Sequence, residues 1–268
     1  MPDSTIKTLS PFTRLGRGFL GFVQELGSVH IFFLKGFAYI FLYPFQLRKI
    51  LDQIHFIGAR SMLIISLTGL FTGMVLGLQG YYMLVDYGSE GLLGAGVAAS
   101  LVRELGPVLA AIMVTARAGS AMAAEIGVMR ISEQIDALKT MDIDPIRTLI
   151  SPRIAAALFS FPLLTALFDV VGIVGGFLSG SMLLNMNPYL YFYRVDTGVD
   201  LADVMGGFTK SLVFAVVVTT ICCYQGYTTH LRPEGYGARG VSNSTTTAVV
   251  MSCVLILLSD YVLTSFLR

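Results

Sequence analysis

The sequence predicts an all-α, polytopic membrane protein with five transmembrane helices, preceded by an amphipathic helix at the membrane surface. Apolar residues occupy 54% of the 268 positions and charged residues only 13%, about half of the ~25% found in soluble domains. So few charges could not cover that much apolar surface in water, whereas lipid requires no such cover. Glycines spaced four residues apart in two apolar stretches add the pattern of helices that pack closely in lipid.

Residues 1–60 are predicted to form a cytoplasmic N-terminal segment and the interfacial helix. Charged side chains recur among Phe, Tyr and Leu between positions 11 and 60, so the apolar runs are too short to cross ~30 Å of hydrocarbon. A helix that lies in the membrane surface accommodates this mixture. The alternative is a span that begins near Ile31 and whose Lys35 reaches back to the headgroups.

Residues 61–268 are predicted to form the transmembrane domain. The second crossing is expected to bend at Pro107, because proline removes a backbone donor and clashes with the preceding turn. A polar block at about 117–153 follows it and is expected to lie outside the membrane as a cytoplasmic segment. The five spans are placed at residues 61–84, about 100–118, 154–184, 206–224 and 246–266.

Two of these spans carry glycines at four-residue intervals, which leaves one face of each helix without side chains. Such a face lets another helix approach closely. For the first span the partner is either another helix of the same subunit or a second copy of the chain, and the sequence leaves both open. The six helix-packing positions are Gly69, Gly73, Gly77, Gly172, Gly176 and Gly180.

The distribution of Lys and Arg predicts the orientation. Segments 1–60, 117–153 and 227–243 hold 14 of the 18 basic residues, whereas the loops at 85–99 and 185–205 hold only Arg194. Basic residues concentrate in cytoplasmic segments. The N-terminus is therefore expected in the cytoplasm and, after five crossings, the C-terminus on the outer side.

The sequence offers no motif for catalysis or nucleotide binding. None of the five lysines follows a glycine, so a GxxxxGK[ST] phosphate loop is absent, as are HExxH and GxSxG. The three cysteines and three histidines show no metal-ligand spacing. A net charge of +1 without a basic stripe argues against a nucleic-acid partner. We expect a protein that is not an enzyme and holds no cofactor, and whose energy comes from a partner or an ion gradient.

Several ionisable residues are predicted at membrane depth, where charges usually face a bundle interior or a wet cavity. Arg103 or Lys210 could attract an anionic headgroup, with Glu104 tuning it. The alternative is that these residues form structural ion pairs between spans, and Asp260 could simply lie in the outer interface. The residues concerned are Arg103, Glu104, Asp169, Lys210 and Asp260.

The cytoplasmic block contains a short amphipathic helix, followed by a turn before Pro145. Apolar residues recur at Ile131, Ile135 and Leu138, three or four positions apart. A solvated loop does not need such a stripe, so it favours docking into a groove on a partner. The residues expected at this contact are Glu133, Gln134, Asp136, Leu138, Asp142 and Asp144.

Long stretches of the sequence resemble the MlaE/YrbE permeases of MCE-associated ABC lipid transport systems. The resemblance rests on GMVLGLQGY at 73–81 and on the continuous run from LVRELGP to LISPR at 101–153. FPLLT at 161–165, KSLVFA at 210–215 and the TTTAVV and DYVLT segments near the C-terminus also fit. The resemblance extends from about residue 50 to the C-terminus.

The resemblance implies a homodimeric permease in the bacterial inner membrane that transports phospholipids and maintains outer-membrane lipid asymmetry. It implies a separate cytoplasmic ABC ATPase, which binds ATP and Mg and grips the segment Glu133–Asp144, and an MCE-domain lipid-binding protein in the periplasm. It also implies a lipid cavity between the two permeases. The corresponding residues here are Leu78, Tyr81, Arg103, Glu104 and Lys210.

Two other classes of protein compete with this interpretation. A secondary transporter would use Asp169, Glu104 or Asp260 as a proton or sodium relay, but the sequence shows no convincing internal repeat. An intramembrane lipid-modifying enzyme would need a catalytic group at one depth. His55 and His230 are predicted at the cytoplasmic side, far in sequence from any paired nucleophile.

Overall fold

A computed structural model of the chain describes residues 11–42, 46–183, 186–231 and 237–267. Within these ranges every regular element is a helix. The α-helices are α1 Pro11–Ala38, α2 Leu47–Ile57, α3 Met62–Val85, α4 Leu93–Ser100, α5 Gly106–Val114, α6 Ser120–Ile131, α7 Gln134–Thr140, α8 Ser151–Phe177, α9 Pro188–Gly198, α10 Leu201–Tyr227 and α11 Gly237–Leu267.

Within the described residues, five helical stretches are long and apolar enough to cross a membrane, which confirms the predicted number of spans. Helix α1 is not among them, although it is 28 residues long, because charges interrupt its apolar positions. The alternative span that begins near Ile31 would include residues 43–45, which lie outside the described residues. The five stretches are Leu47–Val85, Glu90–Ile131, Ile146–Met182, Leu201–Tyr227 and Gly237–Phe266.

All five stretches are longer than the predicted spans, and the first shows the largest shift of a start, from residue 61 to Leu47. The boundary predicted at residue 60 falls inside a helical stretch that begins at Leu47. Helices α2 and α3 are joined there through Gly58 and the 3-10 turn Ala59–Ser61. Arg117 braces this junction, since it donates a hydrogen bond to the carbonyl of Phe56 and lies 5.0 Å from the centre of that ring.

The second span is a helix with two π-helical turns. Leu101–Leu105 forms a π turn between α4 and α5, and Thr115–Gly119 forms another between α5 and α6. The first π turn lies directly before Gly106–Pro107, at the position where the sequence predicts a bend. A π turn accommodates an extra residue in a helix, and such turns are frequent at functional sites.

The two glycine stripes face each other within one chain. A Cβ atom added to Gly69 would lie 2.9 Å from the carbonyl oxygen of Phe168, and one added to Gly73 would overlap the backbone of Gly172. Helix α3 accordingly makes its most extensive contact with α8. Between the two alternatives for the stripe of the first span, the structure therefore favours packing within a subunit over a dimer seam.

Gly176 and Gly180 contact side chains of α9 and α4. The hydroxyl of Tyr191 on α9 lies near Gly176 and donates a hydrogen bond to the carbonyl of Ile173 at 3.0 Å. Gly180 lies against Leu93. Burial raises the pKa of the Tyr191 hydroxyl, which therefore stays protonated and available as a donor. Helix α9 is fixed to α8 in this way.

Candidate functional site

A cleft of about 330 Å³ opens beside the first π turn of the second span. It lies between that turn, the N-terminal half of α10 and the C-terminal end of α11. Three residues predicted for the lipid cavity lie together here, since Arg103, Glu104 and Lys210 all line it. The other lining residues are Ala99, Ser100, Ala202, Asp203, Gly206, Gly207 and Thr264.

Lys210 is the centre of a polar cluster that joins three spans. Its side chain is almost fully buried, and its ammonium donates to Glu104 Oε2 at 2.6 Å and to Thr264 Oγ1 at 2.8 Å. Asp260 Oδ1 lies 3.0 Å from the same nitrogen. A buried ammonium is tolerated only when it is paired and hydrogen-bonded. Here the ammonium belongs to α10, and its side-chain partners come from the second span and from α11.

The same ammonium also contacts the backbone of the second span beside its first π turn. In an α-helix the carbonyl of Arg103 would accept a hydrogen bond from the residue four positions later, but that residue is Pro107, which has no N–H. Lys210 Nζ donates to this carbonyl at 2.9 Å. A side chain of α10 thus supplies a hydrogen bond that the helix cannot make for itself.

Arg103 is paired with Asp203 at the mouth of the cleft. Its Nε and Nη2 each lie 2.8 Å from one carboxylate oxygen of Asp203, a two-point contact typical of strong Arg–carboxylate pairs. Asp203 is held in turn by the backbone N–H of Asp200, with which it forms the capping box that begins α10. Arg103 remains 47% exposed, and its Nη1 has no partner among the described residues.

The charges of the cleft favour the ion-pair alternative over simple attraction of an anion. Arg103 and Lys210 face Glu104, Asp203 and Asp260, so negative charges outnumber positive ones. The donors of Lys210 are already occupied, which leaves Arg103 Nη1 as the donor available to an anionic group. An anionic group in the cleft would therefore find its available guanidinium donor at Arg103.

Leu78 and Tyr81 do not line this cleft within one subunit. Both are half-buried on α3, and Tyr81 packs against the main apolar core. Asp169, the relay residue of the rival hypothesis, lies on α8 against Gly106, and its Oδ1 is buried without a hydrogen-bond partner in the described part of the chain. The structure therefore unites three of the five predicted cavity residues.

Sequence reasoning missed two members of the cluster, Asp203 and Thr264. Asp203 falls in the loop predicted at 185–205, although its spacing from Asp200 is that of a helix cap. Thr264 donates to both oxygens of Glu104, at 3.2 Å each. Its partner lies 160 residues earlier in the chain, so no local pattern could have identified the contact.

The predicted coupling residues lie on α7 and in the turns at its two ends. Glu133 and Asp142 flank this seven-residue helix with left-handed backbone angles, φ 59° and 60°, so the segment is held between two tight turns. Asp136 lies 2.7 Å from Arg130 and 3.3 Å from Lys139. Desolvation raises the pKa of Asp136, but the hydrogen bonds from Lys139 and Arg130 outweigh it and hold that pKa below its usual value.

The apolar stripe of the coupling segment is only partly available to a partner. Ile135 is fully buried in the chain's own second core cluster, beside Phe32 and Ile126, and Leu138 is half-buried. The interpretation that the whole stripe awaits a partner groove is therefore wrong for Ile135. What remains exposed is the polar face of α7 and, beyond its end, Met141 at 68%.

Hydrogen bonds of Asp144 and of Arg130, the partner of Asp136 on α6, extend the contacts of this segment to distant parts of the chain. Arg130 Nε lies 2.8 Å from Nδ1 of His230 and its Nη2 lies 2.9 Å from Nε2. Burial first, and then the charge of Arg130, lower the pKa of His230, so the imidazole is neutral and one of its nitrogens accepts. Tyr39 of the segment after α1 donates to Asp144 at 2.6 Å, and this hydrogen bond raises the pKa of its hydroxyl.

Comparisons with known proteins identify a family and several relatives. The family model described as permease MlaE matches residues 50–266. The chain is 42% identical to the intermembrane phospholipid transport system permease protein MlaE of Haemophilus influenzae, over 83% of this chain and 85% of that protein. It is 39% identical to a probable ABC transporter permease protein of Rickettsia typhi, over 94% of this chain and 96% of the relative. A chloroplastic Arabidopsis thaliana protein, TRIGALACTOSYLDIACYLGLYCEROL 1, is 36% identical over 82% of this chain and 61% of its own length.

Proposed function

Because the chain belongs to the MlaE permease family, we propose that it is the membrane subunit of an ABC-type system that moves phospholipids between membranes and maintains the lipid asymmetry of the outer membrane. The observation that carries this proposal is the 42% identity, over most of both chains, to a permease named for intermembrane phospholipid transport. The chain is a permease subunit and not an enzyme. It lies in the bacterial inner membrane and works as a homodimer.

The energy for transport comes from a separate cytoplasmic ABC ATPase, which binds ATP and Mg itself. The exposed face of α7 is its docking surface, since Glu133, Gln134 and Asp136 are all exposed there. Arg130 couples α7 to the loop after α10 through His230. Movement of α7 would therefore be transmitted to the transmembrane domain through the second span and α10.

Lipid enters a cavity between the two copies and leaves to an MCE-domain lipid-binding protein in the periplasm. Leu78 and Tyr81 on α3 and Arg103 at the mouth of the cleft belong to this cavity, although within one subunit they lie apart. The second copy would complete the apolar wall. A change of affinity between two states of the dimer then releases the lipid, because only differential binding can drive such a step.

Removing two carboxylates of the coupling segment should uncouple the permease from its ATPase. We expect the double variant Glu133→Ala/Asp136→Ala to retain at most about one tenth of the nucleotidase that co-purifies with the wild type. The reason is that the loss of interfacial charge pairs weakens binding by about tenfold or more. The measurement is ATPase activity per mole of detergent-solubilised permease.

The matched control is Asp86→Ala/Glu90→Ala, which removes two exposed carboxylates between α3 and α4, on the opposite side of the membrane. This variant should retain its ATPase fully. Equal loss in both variants would refute the docking surface. Lipid transport that continues without any nucleotidase would instead support the ion-coupled alternative and Asp169.

Labelling from one side of the membrane tests the proposed orientation. A membrane-impermeant maleimide should label Thr140→Cys only after spheroplasts are opened, and Asp86→Cys in intact spheroplasts, because basic segments stay in the cytoplasm. Of the native cysteines, Cys222 and Cys223 are buried, and the half-buried Cys253 is replaced by serine beforehand. The reverse labelling pattern would contradict the orientation without affecting the family assignment.

A further inference from the structure

A second, smaller cleft lies at the cytoplasmic ends of the first three spans. It has a volume of about 160 Å³ and opens between α2, the end of α6 and the start of α8. Lys49, Asp52 and Gln53 line it from α2, Glu125 from α6 and Arg153 from α8. None of the features used above for lipid transport or ATPase docking lies here.

Arg153 is the unusual member of this cleft. It is only 2% exposed, and its Nη2 pairs with Glu125 Oε2 at 2.8 Å. Its Nε and Nη1 are buried and, within the described ranges, have no hydrogen-bond partner. A guanidinium has five N–H donors, and each buried donor without an acceptor costs free energy. The site therefore lacks an acceptor, and an oxyanion with several oxygens would supply it.

The remaining side chains define what else the ligand must carry. Lys49 and Asp52 lie on one side of α2, three residues apart, and form no ion pair with any described residue. Gln53 Oε1 is a buried acceptor without a donor, and Glu125 keeps one oxygen for a further contact. Two cations and two carboxylates thus line the cleft. A simple anion would meet two like charges here, whereas a group with both a phosphate and an ammonium would meet a partner for each.

The position and size of the cleft identify the source of such a group. In the orientation proposed above, α2 and the start of α8 lie at the cytoplasmic headgroup layer, where basic residues meet lipid phosphates. The volume is below the ~300 Å³ of sites for drug-sized ligands. It fits a headgroup whose acyl chains remain in the bilayer beside the exposed apolar side chains of α2, Leu47 and Leu51.

We propose that this cleft binds the headgroup of a cytoplasmic-leaflet phospholipid that carries a phosphate and a primary ammonium, as phosphatidylethanolamine does. Arg153 and Lys49 contact the phosphate, and Glu125, Asp52 and Gln53 accept from the ammonium. The lipid fills the gap between α2 and α8 and holds the start of the first span against the third. The proposal rests on the orientation in the proposed function but not on transport.

Native mass spectrometry of the full-length protein tests this site. The detergent-purified protein is equilibrated with equal amounts of phosphatidylethanolamine, phosphatidylcholine and phosphatidylglycerol of the same acyl chains. We expect phosphatidylethanolamine to be retained preferentially, and Lys49→Gln to reduce its retention by about tenfold, the loss expected for one charge-assisted hydrogen bond. The matched control is Arg48→Gln, which removes the neighbouring charge outside the cleft and should leave retention unchanged.

Arg153→Lys provides a second test, and size-exclusion chromatography establishes whether this variant folds. If it does not fold, the Lys49 variant remains informative, because Lys49 is exposed. Phosphoethanolamine should displace the lipid, whereas inorganic phosphate alone should not. Displacement by inorganic phosphate with no preference among lipids would overturn the lipid assignment in favour of a free-phosphate site. Equal retention of all three lipids, or equal effects of the Lys49 and Arg48 variants, would overturn the site. Because the assay contains no ATPase, its failure is separable from failure of the proposed transport function.

Discussion

Substitution of Lys210 by methionine is expected to destabilise the protein by about 2–4 kcal/mol, somewhat less than the ~3–5 kcal/mol of a fully buried pair because Glu104 is 40% exposed. Methionine fills a similar volume but leaves Glu104 and Asp260 without their shared cation at membrane depth. The carbonyl of Arg103 also loses the hydrogen bond that Pro107 cannot supply. Thermal unfolding of the detergent-purified variant measures the loss.

Two further variants separate charge from packing at this cluster. Adding Glu104→Gln and Asp260→Asn to Lys210→Met should restore part of the stability, because neutral amides are less costly than unpaired carboxylates. Lys139→Met removes a half-exposed lysine and should change the unfolding temperature little. If Lys210→Met is as stable as Lys139→Met, Lys210 is not the cation that joins the three spans.

The second large effect is expected at Gly73. Even alanine there would place a methyl group on the backbone of Gly172, and since both contacting surfaces are main chain, neither can move aside without separating α3 from α8. We expect more than the ~1–3 kcal/mol of ordinary overpacking, seen as loss of monodisperse protein on size-exclusion chromatography.

Gly96→Ala makes the same chemical change in an open position. Gly96 also lies within a helix, and a Cβ added there meets no atom within 4 Å. Alanine is a better helix former than glycine, so this variant should be as stable as the wild type or more so. Similar behaviour of the two variants would mean that α3 and α8 do not approach as closely as described.

The sequence was sufficient for the parts of the fold that depend on hydropathy. Five apolar stretches are a local pattern, and each predicted a membrane-spanning helix. Pro107 predicted an irregularity of the second span, and the π turn Leu101–Leu105 lies directly before it. The glycine stripe at 69–77 predicted a close approach, but its partner at Gly172 lies about one hundred residues away, so only the structure could choose between α8 and a second copy.

The candidate site was predictable as a set of residue types but not as a set of contacts. Arg103, Glu104 and Lys210 stood out because charges are rare in apolar stretches. Their partners Asp203, Asp260 and Thr264 lie on elements that only tertiary packing brings to them. Ile135 illustrates a different error. The sequence correctly indicated that its apolar side chain would be buried, but it packs against the chain's own core and not against a partner protein.

The π turn at Leu101–Leu105 has a consequence for how the chain tolerates insertions and deletions. Each α-helical residue advances the chain by about 100°, so an ordinary helix that loses one residue would turn all later side chains away from their neighbours. Here the loss of one residue would convert the wide turn into a regular one and leave α4 and α5 facing as before. The chain should therefore tolerate the loss of one residue in this turn better than the loss of one within α4 or α5.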